Sequence, residues 1–220
     1  MEGYAVSDLV KEVKVLLDRN QESVGLLAPS DSDTLSQAEL IESKILDAAR
    51  IILSDAPEDM VEGTSCTNSV TWTDSKNGYY VGNMVLPTDI LRILSVKAGG
   101  WNRPAEIISE SDDAYKYQNC KYGVRGNPER PIAAIVHTAN GKSIELYTSK
   151  KNDATLSFIY VKVPSITTEQ KISLPSVLKD SILYMAGYLT CISLGDTDTA
   201  SGFLGVARKL AHIVEPTETS

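Results

Sequence analysis

The stretch Ser69-Val70-Thr71-Trp72-Thr73-Asp74-Ser75-Lys76-Asn77-Gly78-Tyr79-Tyr80-Val81-Gly82-Asn83-Met84 is where the hydrophobic period of the chain changes. Its two short runs are rich in β-branched and aromatic residues, and Asn77-Gly78 between them supplies a turn, so it predicts a hairpin. Before it the period is helical. Val6, Val10, Val13 and Leu17 share one face of a helix predicted over about 6–19. Ser36-Gln37-Ala38-Glu39 has the capping-box form, and Ile41, Ile45, Ala48 and Ile52 follow as the apolar stripe of a second helix ending near Ser54.

After the hairpin the strand signals continue. Ile90–Lys97, Ile132–His137, Ser143–Tyr147 and Thr155–Val163 read as strands, with Asn140-Gly141 as a second hairpin turn. Ser111–Asn119 reads as a short helix capped by Ser111, with Asp112 and Asp113 in its first turn. Helical spacing then returns. Leu178, Ile182, Met185, Leu189 and Ile192 mark one helix, with Pro175 in its first turn and Gly195 just past its end. Ala200, Phe203, Ala207, Leu210 and Val214 mark another over about 198–213. Helices, then strands, then helices predict an α+β fold. The expected arrangement is a discontinuous helical bundle built from 1–66 and 172–214, with an antiparallel β insertion at 67–171 and an extended tail at 215–220.

Charge is unevenly spread. The total is −8, but residues 1–66 hold 14 acidic and 5 basic side chains, whereas 92–151 hold 6 acidic and 10 basic. A strongly negative total disfavours non-specific binding to nucleic acid or anionic membrane. No run approaches the roughly 20 apolar residues of a membrane span, and Met1-Glu2-Gly3-Tyr4 has no secretion-signal character. Cys66, Cys120 and Cys191 have neither disulfide-framework nor zinc spacing and are expected to be free, mostly buried thiols.

The sequence offers little for catalysis, and no catalytic, metal or cofactor residue is assigned. Gly99-Gly100 and Gly123-Val124-Arg125-Gly126 lack phosphate-loop spacing. The two histidines, His137 and His212, are isolated. Asp112 and Asp113 are adjacent on a helix and diverge. Asp31-Ser32-Asp33 starts like a calcium loop but lacks its glycine, since Ser36 stands at the sixth position. Tyr115, Lys116, Tyr117, Lys121, Tyr122, Arg125 and Arg130 interleave rings with cations, which could stack on single-stranded nucleic acid. The acidic total favours inward-packed tyrosines with solvated cations instead.

One series of segments is more specific. Leu86-Pro87-Thr88-Asp89-Ile90-Leu91-Arg92-Ile93-Leu94 is followed by Trp101-Asn102-Arg103-Pro104, Tyr115–Gln118, Gly126-Asn127-Pro128-Glu129-Arg130-Pro131, Glu145-Leu146-Tyr147 and Tyr160-Val161-Lys162-Val163-Pro164. In that order they resemble the head–tail adaptor proteins of short-tailed bacteriophages, and more narrowly a ring protein of crAss-like phages. Tyr147 precedes Thr148 where the family pattern has proline. The resemblance covers most of 36–211. It implies a non-enzymatic virion protein of the neck or tail, self-assembled into a dodecameric ring on the portal protein and contacting tail or nozzle proteins. DNA would pass through its lumen without being read.

The alternatives are another virion component, such as a tail-fibre adaptor or minor capsid protein, and a phage cell-wall hydrolase. Candidate scaffold or interface residues are Trp101, Arg103, Arg125, Arg130, Glu215 and Pro216. Trp101 is expected either to stack on Arg103 or to anchor the core. Pro87 is expected to begin a strand, and Ile90, Leu91, Ile93 and Leu94 to be covered on both sides.

Overall fold

A computed structural model describes residues 2–17, 36–66, 69–75, 78–120, 125–139 and 141–214. Asp31–Asp33, Asn77, Lys121, Tyr122, Asn140, Glu215 and Pro216 lie outside the described residues. In chain order the elements are β1 (Glu2–Ala5), α1 (Val6–Leu16), α2 (Gln37–Asp55), β2 (Thr64–Cys66), β3 (Thr71–Asp74), β4 (Tyr80–Val85), β5 (Ile90–Ala98), β6 (Glu106–Ser109), α3 (Asp113–Lys116), β7 (Ile132–Thr138), β8 (Gly141–Ser149), β9 (Leu156–Lys162), β10 (Lys171–Leu174), α4 (Lys179–Ser193) and α5 (Thr197–Leu210). The fold is α+β. The chain divides into a first unit, residues 1–62 with 163–220, and a second, residues 63–162.

The first unit holds the long helices. The capping box at the start of α2 forms: Ser36 Oγ accepts from the Glu39 amide at 3.3 Å, and Glu39 Oε2 accepts from the Ser36 amide at 2.7 Å. The stripe Ile41, Ile45, Ala48 and Ile52 is fully buried, as are Val6 and Val13 of α1. Helix α4 packs against α1, α2 and α5. Gly187 permits the α4–α5 contact, because a Cβ there would lie 2.8 Å from the Phe203 ring. Gly195 takes a positive φ just past α4.

Several boundaries differ from expectation. Pro175 precedes a 3-10 turn (Ser176–Leu178) rather than sitting in the first turn of α4. Ile192 and Leu210 are exposed, because the helices each one meets (α1, α2 and α5 for α4, and α4 for α5) rather than an ideal period choose the buried face, and Val214 lies beyond the end of α5 at 86% exposure. A two-stranded ribbon, β1 antiparallel to β10, joins Glu2–Ala5 to Lys171–Leu174. Strands of four residues carry too little periodicity to be seen.

The second unit has two sheets, ordered β2-β9-β5 and β3-β4-β8-β7-β6. Its main core mixes both, with Met84, Leu86, Ile144 and Leu146 from one side and Val96, Phe158 and Tyr160 from the other. Gly78 and Gly141, second residues of the two predicted turns, have φ of +74° and +108° and join β3 to β4 and β7 to β8.

The insertion is not purely antiparallel, since β6 pairs with β7 in parallel. A parallel pair needs a long crossover, and residues 110–131, including α3, provide it. Helix α3 is shorter than expected and has Asp112, not Ser111, at its N-cap position. The Asp112 carboxylate accepts from the Ser109 amide at 2.7 Å, which closes the turn before the helix instead of capping it.

Strand β5 also departs from expectation. Pro87 lies in the turn before it, and β5 is the outer strand of its sheet rather than one covered on both sides. Ile90, Leu91, Ile93 and Leu94 are all half-buried. The register against β9 runs Ile90↔Lys162, Arg92↔Val161, Ile93↔Tyr160, Ser95↔Ile159, so Leu91 and Leu94 are the extra residues of two bulges. The apolar doublets therefore come from an alternating strand interrupted twice.

Candidate functional site

Three of the quoted segments, Trp101–Pro104, Tyr115–Gln118 and Gly126–Pro131, meet with Thr148 of β8 at one hydrogen-bonded node in the second unit. After β5 the chain turns at Gly100, φ +90°, and the Trp101 amide donates to the Ala98 carbonyl at 3.1 Å. Trp101 enters the core at 3% exposure, and its indole N–H donates to the Thr148 carbonyl at 2.8 Å. The Asn102 amide donates to the Pro128 carbonyl at 2.9 Å, and Glu106 to Pro131 at 2.9 Å, tying the Trp-Asn-Arg-Pro turn to the Gly126–Pro131 loop.

That loop is self-closed. The Asn127 side chain accepts from the Glu129 and Arg130 amides at 2.9 and 3.0 Å, and the Asn127 amide donates to the Arg130 carbonyl. Gly126 anchors its start: its amide donates to Gln118 Oε1 at 2.9 Å, and its carbonyl accepts from Thr148 Oγ1 at 3.1 Å. Only glycine fits, because a Cβ would stand 2.7 Å from the Tyr147 carbonyl oxygen. Gln118 is itself buried and donates to the Ala114 carbonyl at 2.8 Å. Buried polar groups in this node are thus paired with one another, which fixes its shape.

Beside the node lies a small charged network. Glu145 accepts from the Tyr115 hydroxyl at 3.1 Å and from the Tyr147 hydroxyl. Burial, then the Glu145 carboxylate, raises both phenols above their ordinary range. They remain neutral donors, unsuited to nucleophilic or base chemistry at neutral pH. The Arg125 guanidinium sits 5.7 Å from the Tyr147 ring centre. Elsewhere in the unit Tyr160 donates to Asp89 at 3.2 Å, and Lys162 pairs with Asp89 at 3.3 Å. His137 meets Glu110 at 2.9 Å on an exposed strand end.

The candidate residues separate accordingly. Trp101 is a core anchor and does not stack on Arg103, which is exposed; the indole N–H is directed instead to the buried Thr148 carbonyl. Arg125 is half-buried against Tyr147, while Arg130 is exposed on the loop rim. Of the interleaved tyrosines, Tyr115 is half-buried but Tyr117 is 50% exposed, because the 3-10 turn at Tyr117–Asn119 rotates it outward. The thiols are less buried than expected: Cys191 is buried, Cys66 intermediate and Cys120 exposed after that same turn.

Gln118, Asn127, Glu145 and Thr148 complete the node without having been singled out as site residues. Only Asn127, two residues before the amide it caps, carried a local signal. Among the described residues no cluster of histidine, cysteine and carboxylate is placed to hold a metal ion, and no helix is long and apolar enough to cross a membrane. No protein-family model and no curated protein matches the chain.

Proposed function

We propose that the chain is a non-enzymatic virion protein, a head–tail adaptor whose copies close into a dodecameric ring between portal and tail. The observation that carries this reading is the node. Three short segments, each resembling a piece of the adaptor pattern, are drawn together by the Asn102–Pro128 and Gly126–Gln118 bonds, and Thr148, which departs from the pattern, ties Trp101 and Gly126 to β8. Their polar groups are used internally, which suits a scaffold rather than a substrate pocket. A net charge of −8 suits a channel wall that repels DNA phosphates and lets DNA pass. A heterologous interface repeated about an axis closes into such a ring.

Cryo-imaging of the particle whose genome encodes the chain tests the proposal. The expected result is density for this fold in a closed ring between portal and tail. A single copy per particle, or density elsewhere in the virion, overturns it.

A further inference from the structure

The second unit contains an open groove that the adaptor reading leaves unused. Its volume is about 590 Å3, and Leu86, Ile90, Leu91, Ile93, Ile107 and Ile135 form its apolar wall. Four successive residues of β5, Ile90 to Ile93, line it. The run crosses the bulge at Leu91 and so follows the strand's margin, and β5 is an outer strand of its sheet. Arg92 and Lys142 supply cations, and among the described residues no carboxylate lines it. The surrounding unit has 12 basic and 9 acidic residues, whereas the other unit has 9 basic and 20 acidic. The groove therefore favours an extended peptide that is apolar at one point and acidic beside it.

The chain itself has such a peptide. After α5 come Ile213 and Val214, the latter 86% exposed, and then Glu215-Pro216-Thr217-Glu218-Thr219-Ser220. Extended at about 3.3 Å per residue, the six residues after Val214 reach about 20 Å, close to the length of Ile90–Ser95. Proline without an N–H is tolerated in an edge strand whose nitrogen faces outward.

We propose that the groove receives residues 213–220 of a neighbouring copy, laid along β5 as an added strand, with Val214 on the apolar wall and Glu215 and Glu218 toward Arg92 and Lys142. The identity of the neighbour rests on the ring reading, while the match of peptide to groove does not.

The test uses the full chain lacking residues 215–220 as receiver and a fluorescent peptide of sequence Lys209–Ser220 as probe, followed by anisotropy. Saturable binding in the range of roughly ten to several hundred micromolar is expected. Lys142→Glu, at an exposed position, should weaken it on the order of fivefold or more with an unchanged circular dichroism spectrum. Leu91→Asp should weaken it further, as should a peptide carrying Glu215→Lys and Glu218→Lys. No saturable binding, or binding indifferent to Lys142→Glu and to the peptide charges, overturns the proposal. Groove occupancy in the intact chain that persists on dilution to monomers would place the tail in its own groove and overturn the exchange between copies. If the truncated chain still closes into rings and the peptide does not bind, this inference fails and the ring reading stands. Peptide binding without any ring in the virion leaves the groove assigned and removes the ring.

Discussion

The helical unit and the β unit use apolar residues differently. In the first, Val13, Ile41, Ile45, Ala48 and Ile52 are all within 1% of complete burial, on helices that cover one another. In the second, a comparable core from Met84 to Tyr160 coexists with a strand whose Ile90, Leu91, Ile93 and Leu94 stay half-open beside cations. Apolar residues in the first unit serve its own stability. Those of β5 are only partly used for that purpose, which leaves apolar surface on an outer strand.

The sharpest way to break this contrast is to truncate one residue of each kind. Ile52→Ala should cost about 2–5 kcal/mol in urea unfolding, because it leaves a cavity among closed helices. Leu91→Ala should cost less than about 1 kcal/mol, because its bulge position is half-solvated already. Equal losses would mean that β5 is structural core after all.

Within the β unit, Gly126→Ala should come next. The added methyl meets backbone at the Tyr147 carbonyl and the Ile132 amide, at 2.7 and 3.0 Å, and neither can swing aside. A loss of about 1–3 kcal/mol is expected, together with red-shifted Trp101 emission as the Thr148 contact loosens. Unchanged emission would show that the node tolerates separation of its parts. In the helical unit, Ser36→Ala removes one half of the capping box and should lower stability by about 1 kcal/mol, read as a fall in Tm.

The smallest effect is electrostatic. The His137 amide, and then its ring, hold the exposed Glu110 carboxyl below the usual carboxylate range. A depressed folded pKa contributes stability above the unfolded value, near pH 4.3, that is lost as pH falls through the folded value. The Tm gap between the native chain and Glu110→Gln should therefore be present at neutral pH and close on acidification. A gap that stays constant to low pH counts against the pairing.

Features decided by near neighbours were legible in the sequence. Ser36 and Glu39 cap each other three residues apart, the α2 stripe repeats within one helix, and Gly78 and Gly141 turn the chain where they stand. What failed depends on distant partners. The doublets of β5 look like a doubly covered strand until the register of β9 exposes Leu91 and Leu94 as bulges. The position of Trp101 was open until Thr148, 47 residues on, provided the indole with an acceptor. Parallel pairing of β6 with β7 was hidden because β6 is four residues long and its partner lies beyond a crossover. The node was visible as an order of fragments, but its convergence needed bonds that no local pattern encodes.

The β1–β10 ribbon bears on how the protein is made. Glu2 pairs with Leu174, so β1 is made long before its partner β10. The β unit is one continuous stretch, residues 63–162, and can complete itself meanwhile. At about 5–20 residues per second, the 123 residues between α2 and α4 take roughly 6–25 s to synthesise. For that interval the apolar faces of α1 and α2 lack α4, the helix that covers them. A nascent chain stalled before α4 therefore carries a finished β unit and an unfinished, adhesive helical one, which is the species a chaperone would hold.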